Sequence, residues 1–86
     1  MELRIVDATG NKSAAVSVPG DVPSGRIALK MVQVLGLPRQ GNDGMPLSYK
    51  FHHKQSGRQL ADGQTLLQAG VADNDVLRLV AEITAG

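Results

Sequence analysis

Leu3, Ile5 and, in the same phase, Asp7 are interleaved with Glu2, Arg4 and Val6. This period of two predicts a half-buried strand. Thr9-Gly10-Asn11-Lys12 follows with turn chemistry, and the chain returns with Ala14, Val16 and Val18 inward and Ser13, Ala15 and Ser17 outward. Pro19-Gly20 ends the second strand, because proline has no ladder donor to give. Between Asp21 and Gly36 the period changes. Ile27, Met31, Val34 and Leu35 fall on one face of a helix that Pro23 or Ser24 opens and Gly36-Leu37-Pro38 closes. The free donors of Ser24-Gly25-Arg26 suit an anion or a cap, and a cap is the reading preferred.

Residues 39–46 are polar and glycine-rich, a loop. Leu47, Tyr49 and Phe51 then alternate with Ser48, Lys50 and His52 as a third strand. His53 to Gly57 turns the chain into a short segment holding Gln59 and Leu60, and Asp62-Gly63 turns it again. Thr65 to Gly70 predicts one helical turn presenting Leu66 and Leu67, with Val71 as an anchor and Asp73-Asn74-Asp75 as a further turn. Val76 to Ile83 is the last strand, with Leu77, Leu79 and Ala81 inward and Val76, Arg78 and Val80 outward. The expected core sets Leu3, Ile5, Val16, Val18, Leu77 and Leu79 against Ile27, Met31, Leu35 and Leu66.

Composition narrows the chemistry. Eighty-six residues form one domain, too small for most catalytic clefts, and no catalytic residue is assigned. Nine Lys plus Arg against eight Asp plus Glu leave a net charge of +1, which argues against nucleic acid or an anionic membrane as partner. The absence of Cys excludes a disulfide framework and a thiolate centre and fits a reducing cytoplasm. Apolar runs are short, so neither a leader nor a membrane span is expected, and the free chain is read as a soluble monomer. His52 and His53 are adjacent, so on a strand they point to opposite faces and cannot share a metal; both are read as surface or loop residues. Asp73, Asn74 and Asp75 lack the remaining ligands of a calcium loop. No metal and no bound cofactor are expected.

The stretch Gly57-Arg58-Gln59-Leu60-Ala61-Asp62-Gly63-Gln64-Thr65-Leu66, continuing through Val71 and Leu77-Arg78-Leu79-Val80 to Gly86, resembles ubiquitin without a gap. Leu3, Ile5, Thr9 and Gly10 resemble its first hairpin, and Gly36-Leu37-Pro38 the end of its helix. The Tyr49/Phe51 strand and the block from Leu67 to Leu79 resemble the bacterial branch related to the ubiquitin-like proteins of type VII secretion. The resemblance implies an α+β fold of the β-grasp kind, a mixed sheet with one main helix packed across it. Residues 1–81 would form the domain and 82–86 a flexible tail.

It also implies a function. Glu82, Ile83, Thr84 and Ala85 would form a recognition tail for an activating enzyme and a peptidase. That tail would present the Gly86 carboxylate for adenylation with ATP and transfer to an amine. ATP would belong to the activating enzyme, not to this chain. A conjugating enzyme, a metal-dependent deubiquitinase-like peptidase and target proteins complete the implied partners, with Lys12, Lys30, Lys50 and Lys54 as acceptors if chains form. Ala85 stands where ubiquitin has the first of two glycines, so a dedicated activating enzyme is expected. Ala8, Lys50, Arg78 and Val80 mark the implied partner surface. Its apolar area is reduced, and at about 25 cal/mol per Å² ordinary ubiquitin readers would lose most of their affinity. The alternatives are a non-covalent binding module of a type VII secretion system and a sulfur carrier.

Overall fold

Alternation becomes strand at both ends of the chain. In the computed structural model, which describes residues 1–41, 44 and 47–82, β1 (Glu2–Asp7) and β2 (Ser13–Ser17) pair antiparallel. Leu3 lies opposite Val16 and Ile5 opposite Ala14. Asp7 also turns inward, where it organises the hairpin: its carboxylate accepts the Thr9 hydroxyl at 2.9 Å and the Lys12 N–H at 3.2 Å.

Helix α1 (Ser24–Val34) lays Ile27, Ala28, Met31 and Val32 on the sheet. Its end follows from Gly36, which sits at φ 66°, a conformation that costs glycine nothing. There the Gly36 N–H reaches the Gln33 carbonyl at 3.2 Å and the Leu37 N–H the Val32 carbonyl at 2.9 Å, satisfying two of the carbonyls that the helix end leaves open. The start corrects the sequence reading. Ser24 does not cap the helix; Pro23 holds that position, and Ser24 is buried with its hydroxyl donating to the Ala61 carbonyl at 2.8 Å. The Ser24 and Gly25 N–H groups go to the carbonyls of Gln64 and Asp62, so these donors are already consumed and are not open to an anion. Val34 is a second correction. It lies on the apolar stripe, yet 56% of its surface is exposed.

Strands β3 (Ser48–His53), β4 (Arg58–Gln59) and β5 (Val76–Glu82) complete a five-stranded sheet in the order β2-β1-β5-β3-β4. β1 and β5 run parallel at its centre and every other pair is antiparallel, so the sheet is mixed as expected. Phe51, Leu77 and Leu79 face the helix from β3 and β5. The segment from Thr65 to Gly70 is a turn closed by the Ala69 N–H on the Thr65 carbonyl at 3.0 Å; it buries Leu66 and leaves Leu67 in solvent.

Two further readings change. His53 belongs to β3 and is buried, because Arg58 pairs with it across β3–β4 and both of its ring nitrogens find partners. Glu82 closes β5 opposite Ser48, so the strand runs one residue beyond the expected domain boundary; residues 83–86 lie outside the described residues. No helix among the described residues is long and apolar enough to cross a membrane.

Ile5 and Leu77 are fully buried at adjoining positions of β1 and β5. Truncating either to Ala is expected to lower unfolding free energy by about 2–5 kcal/mol. Val34→Ala is expected to change it by less than about 0.5 kcal/mol. Urea denaturation of the three variants checks this ranking.

Candidate docking surface

The side of the sheet away from α1 follows from register. Arg4 pairs with Ala15 and Val76, and Val6 pairs with Ser13 and Arg78, which in turn lies opposite His52. Each of these residues points away from the core, because its neighbours in sequence point into it. Arg4, Val6, Gly10, His52, Lys54, Val76 and Arg78 line a shallow groove of ≈ 360 Å³. Three cations thus surround two valines, and no carboxylate lines the groove. Among the described residues, Arg4, Lys54 and Arg78 form no ion pair.

Register also brings together most of the implied partner surface. Lys50 faces Val80 across β3–β5, and Arg78 lies two residues along the same face. Ala8 is exposed just past Asp7, whose partner on β5 is Leu79, so it falls at the Val80 end. Lys50 is bound to the Asp62 carboxylate, which neutralises it. The free positive charge therefore centres on Arg4, Lys54 and Arg78. His52, Val6 and Val76 escape sequence reasoning, since alternation says only that they face outward and not which strands adjoin. Lys12, Lys30 and Lys54 are exposed and Lys50 half-buried. Ile83, Thr84, Ala85 and Gly86 lie outside the described residues. Among the described residues no group of three His, Asp or Glu side chains is arranged to hold a metal.

Beneath this face one polar network joins β3 to the turn before β5. His53 Nε2 lies 2.8 Å from Asp75 Oδ2, and Nδ1 lies 2.8 Å from the Ser56 hydroxyl. Asp75 Oδ2 also accepts the Ala72 N–H at 2.9 Å. An ionised carboxylate only accepts, so Nε2 carries the hydrogen toward Asp75, while Nδ1 shares the second hydrogen bond with the Ser56 hydroxyl. Asp73 and Asn74 are likewise engaged: the Glu2 N–H donates to Asp73 Oδ1 at 2.9 Å, and the Asn74 N–H to the Glu2 carbonyl at 2.6 Å. The Asp73 side chain and the Asn74 backbone thereby fasten the start of β1.

A family model described as "WXG100 protein secretion system (Wss), protein YukD" matches residues 3–79. The chain belongs to the YukD family. Among solved structures, Caldiarchaeum subterraneum ubiquitin is similar at 25% identity and a TM-score of 0.71, over 100% of this chain and 98% of that one. The fold is therefore the ubiquitin-like β-grasp. No curated protein matches the chain. Within this YukD-family domain, the outer sheet face combines free cations with exposed apolar area, and the chemistry it offers is recognition: cations to pair with carboxylates and valines to exclude water from the contact.

Two aspartates make the fold acid-sensitive. The Ala72 N–H and the His53 ring hold Asp75 below its ordinary value of 3.8 despite some desolvation. Burial alone would push Asp7 up, but the Lys12 N–H, the Thr9 hydroxyl and the Gly10 and Asn11 N–H groups outweigh it and leave it below 3.8 as well. A carboxyl group with a lowered folded value stabilises fully above its unfolded value and loses that contribution as pH falls through the folded one. The urea midpoint is therefore expected to fall as pH drops below about 4. Asp75→Asn is expected to flatten that decline, measured by urea titrations across the acid range.

Proposed function

We propose that the chain is a non-catalytic docking module of a WXG100 (type VII) secretion system, binding an acidic protein surface through the outer face of its sheet. The observation that carries this reading is the groove in which Arg4, Lys54 and Arg78, free of ion pairs among the described residues, surround Val6 and Val76. Family membership supplies the setting, since the matching family is named for that secretion system. Capture of the other components of the same system by the tagged chain is expected to weaken as salt rises. The pair Arg4→Glu and Arg78→Glu is expected to weaken it at least about tenfold, the scale of losing charge-assisted contacts. Unchanged capture by the reversed pair rejects the reading.

A second reading is a covalent modifier that works through Gly86, with Glu82, Ile83, Thr84 and Ala85 as the tail read by an activating enzyme and a peptidase. End-to-end similarity to a ubiquitin favours it. Removing Ala85 and Gly86 separates the two. Docking survives the deletion, whereas a thioester formed with a cognate activating enzyme, ATP and magnesium depends on Gly86.

A further inference from the structure

Beside the docking face, the β3–β4 turn and the turn before β5 bring together a serine, a histidine and an aspartate that docking does not use. His53 ends β3, and the chain reverses over residues 54–57. The Gly57 N–H closes this reversal on the His53 carbonyl at 2.8 Å, with Gly57 at φ 70°, where a side chain would be strained. Ser56 is thereby carried back to the His53 ring, and its Oγ lies 2.8 Å from Nδ1. At the other ring nitrogen, Nε2 meets Asp75 Oδ2 at 2.8 Å.

Exposure divides these groups in a way that bracing alone does not require. His53 keeps only 3% of its surface in solvent, whereas Ser56 is exposed. Water has little access to the ring, while the hydroxyl that the ring faces is open to an incoming molecule. With the hydrogen on Nε2 held by the Asp75 carboxylate, Nδ1 of the neutral ring presents a lone pair to the Ser56 hydroxyl, within reach for proton transfer. The Arg58 N–H donates to the same Oγ at 3.3 Å, which favours negative charge there as the proton leaves. His53 lies opposite Leu77 on β5 and Arg58 on β4, and Asp75 is the carboxylate bonded to its ring. Lys54 and Arg58, exposed two residues to either side of Ser56, add positive charge around the turn.

We propose that Ser56 is a nucleophilic serine that accepts an acyl group from a thioester or an aryl ester, with His53 as its base and Asp75 as a positioning residue. Ser56 Oγ bonds to the acyl carbon as its proton passes to Nδ1. The carbon–sulfur or carbon–oxygen bond of the donor then breaks, its electron pair leaves with the thiolate or phenolate, and the proton on Nδ1 passes to that anion or to water. An ester remains on Ser56, and nothing is oxidised or reduced. Positive charge beside the hydroxyl favours donors whose departing group is an anion. The hydroxyl is consumed in the step, so this is a modification of the chain rather than turnover, and it leaves the docking face unaltered.

The test treats the full folded chain with a fluorophosphonate, which labels activated serines and spares ordinary hydroxyls, and separately with p-nitrophenyl acetate as the aryl ester, and maps the modified residue by mass spectrometry. Expected is labelling of Ser56 by both probes, faster as rising pH strips the proton from His53 and lost when urea unfolds the chain. Ser56→Ala, at an exposed turn position, is expected to abolish it, and Ser13→Ala to leave it unchanged. His53→Gln is expected to slow labelling at least about a hundredfold and to remove its pH dependence. Asp75→Asn is expected to slow it at least about tenfold and to shift the pH profile, which together with the urea control keeps the test decisive if the buried His53 variant does not fold. No label on Ser56 at any pH, equal labelling of other serines, labelling that persists in urea, or full reactivity of folded Asp75→Asn each overturns the proposal.

Discussion

Parallel pairing of β1 with β5 is the constraint on which the other features depend. Ile5 beside Leu77 and Asp7 beside Leu79 join the first strand to the last at the middle of the sheet. Such a pair cannot be closed by a tight turn, so the intervening chain must cross the sheet, and α1 with the loops after it supplies that crossing. The pairing is reinforced at its lower end, where the Arg4 N–H reaches the Asp75 carbonyl at 3.1 Å and Asp73 holds the Glu2 N–H. Because Asp75 also binds His53, the same short turn ties β1, β3 and β5 together.

That central pairing creates two unlike surfaces from alternating residues. Inward positions of β1, β3 and β5 meet one helix and, with Leu60, Leu66 and Val71 from the connecting segments, form the core, which explains why each large side chain there matters to stability. Outward positions of the same strands bring residues 4, 6, 52, 76 and 78 into a patch, although they are scattered over most of the chain. The core tolerates no charge without partners, and Asp7 and His53 are admitted only because neighbouring donors and acceptors satisfy them. The outer face has no such restriction, so its cations stay hydrated and available.

Local patterning by itself determined the strand phases of Leu3/Ile5, Ala14/Val16 and Leu77/Leu79, the helix face of Ile27 and Met31, and its stop at Gly36. These depend on side-chain periodicity and backbone preference within a few residues. The resemblance of Gly57 to Gly86 to ubiquitin extended that to the architecture. Tertiary structure alone decided that Ser24 bonds to Ala61 rather than capping its helix, that His53 is buried, that Glu82 pairs with Ser48 and that Val34 is exposed. It alone also decided that Lys50 is neutralised by Asp62 and that Arg4, Lys54 and Arg78 share one groove. Each of these turns on a partner distant in sequence, and register between strands is set by the packing of the whole sheet rather than by any one segment.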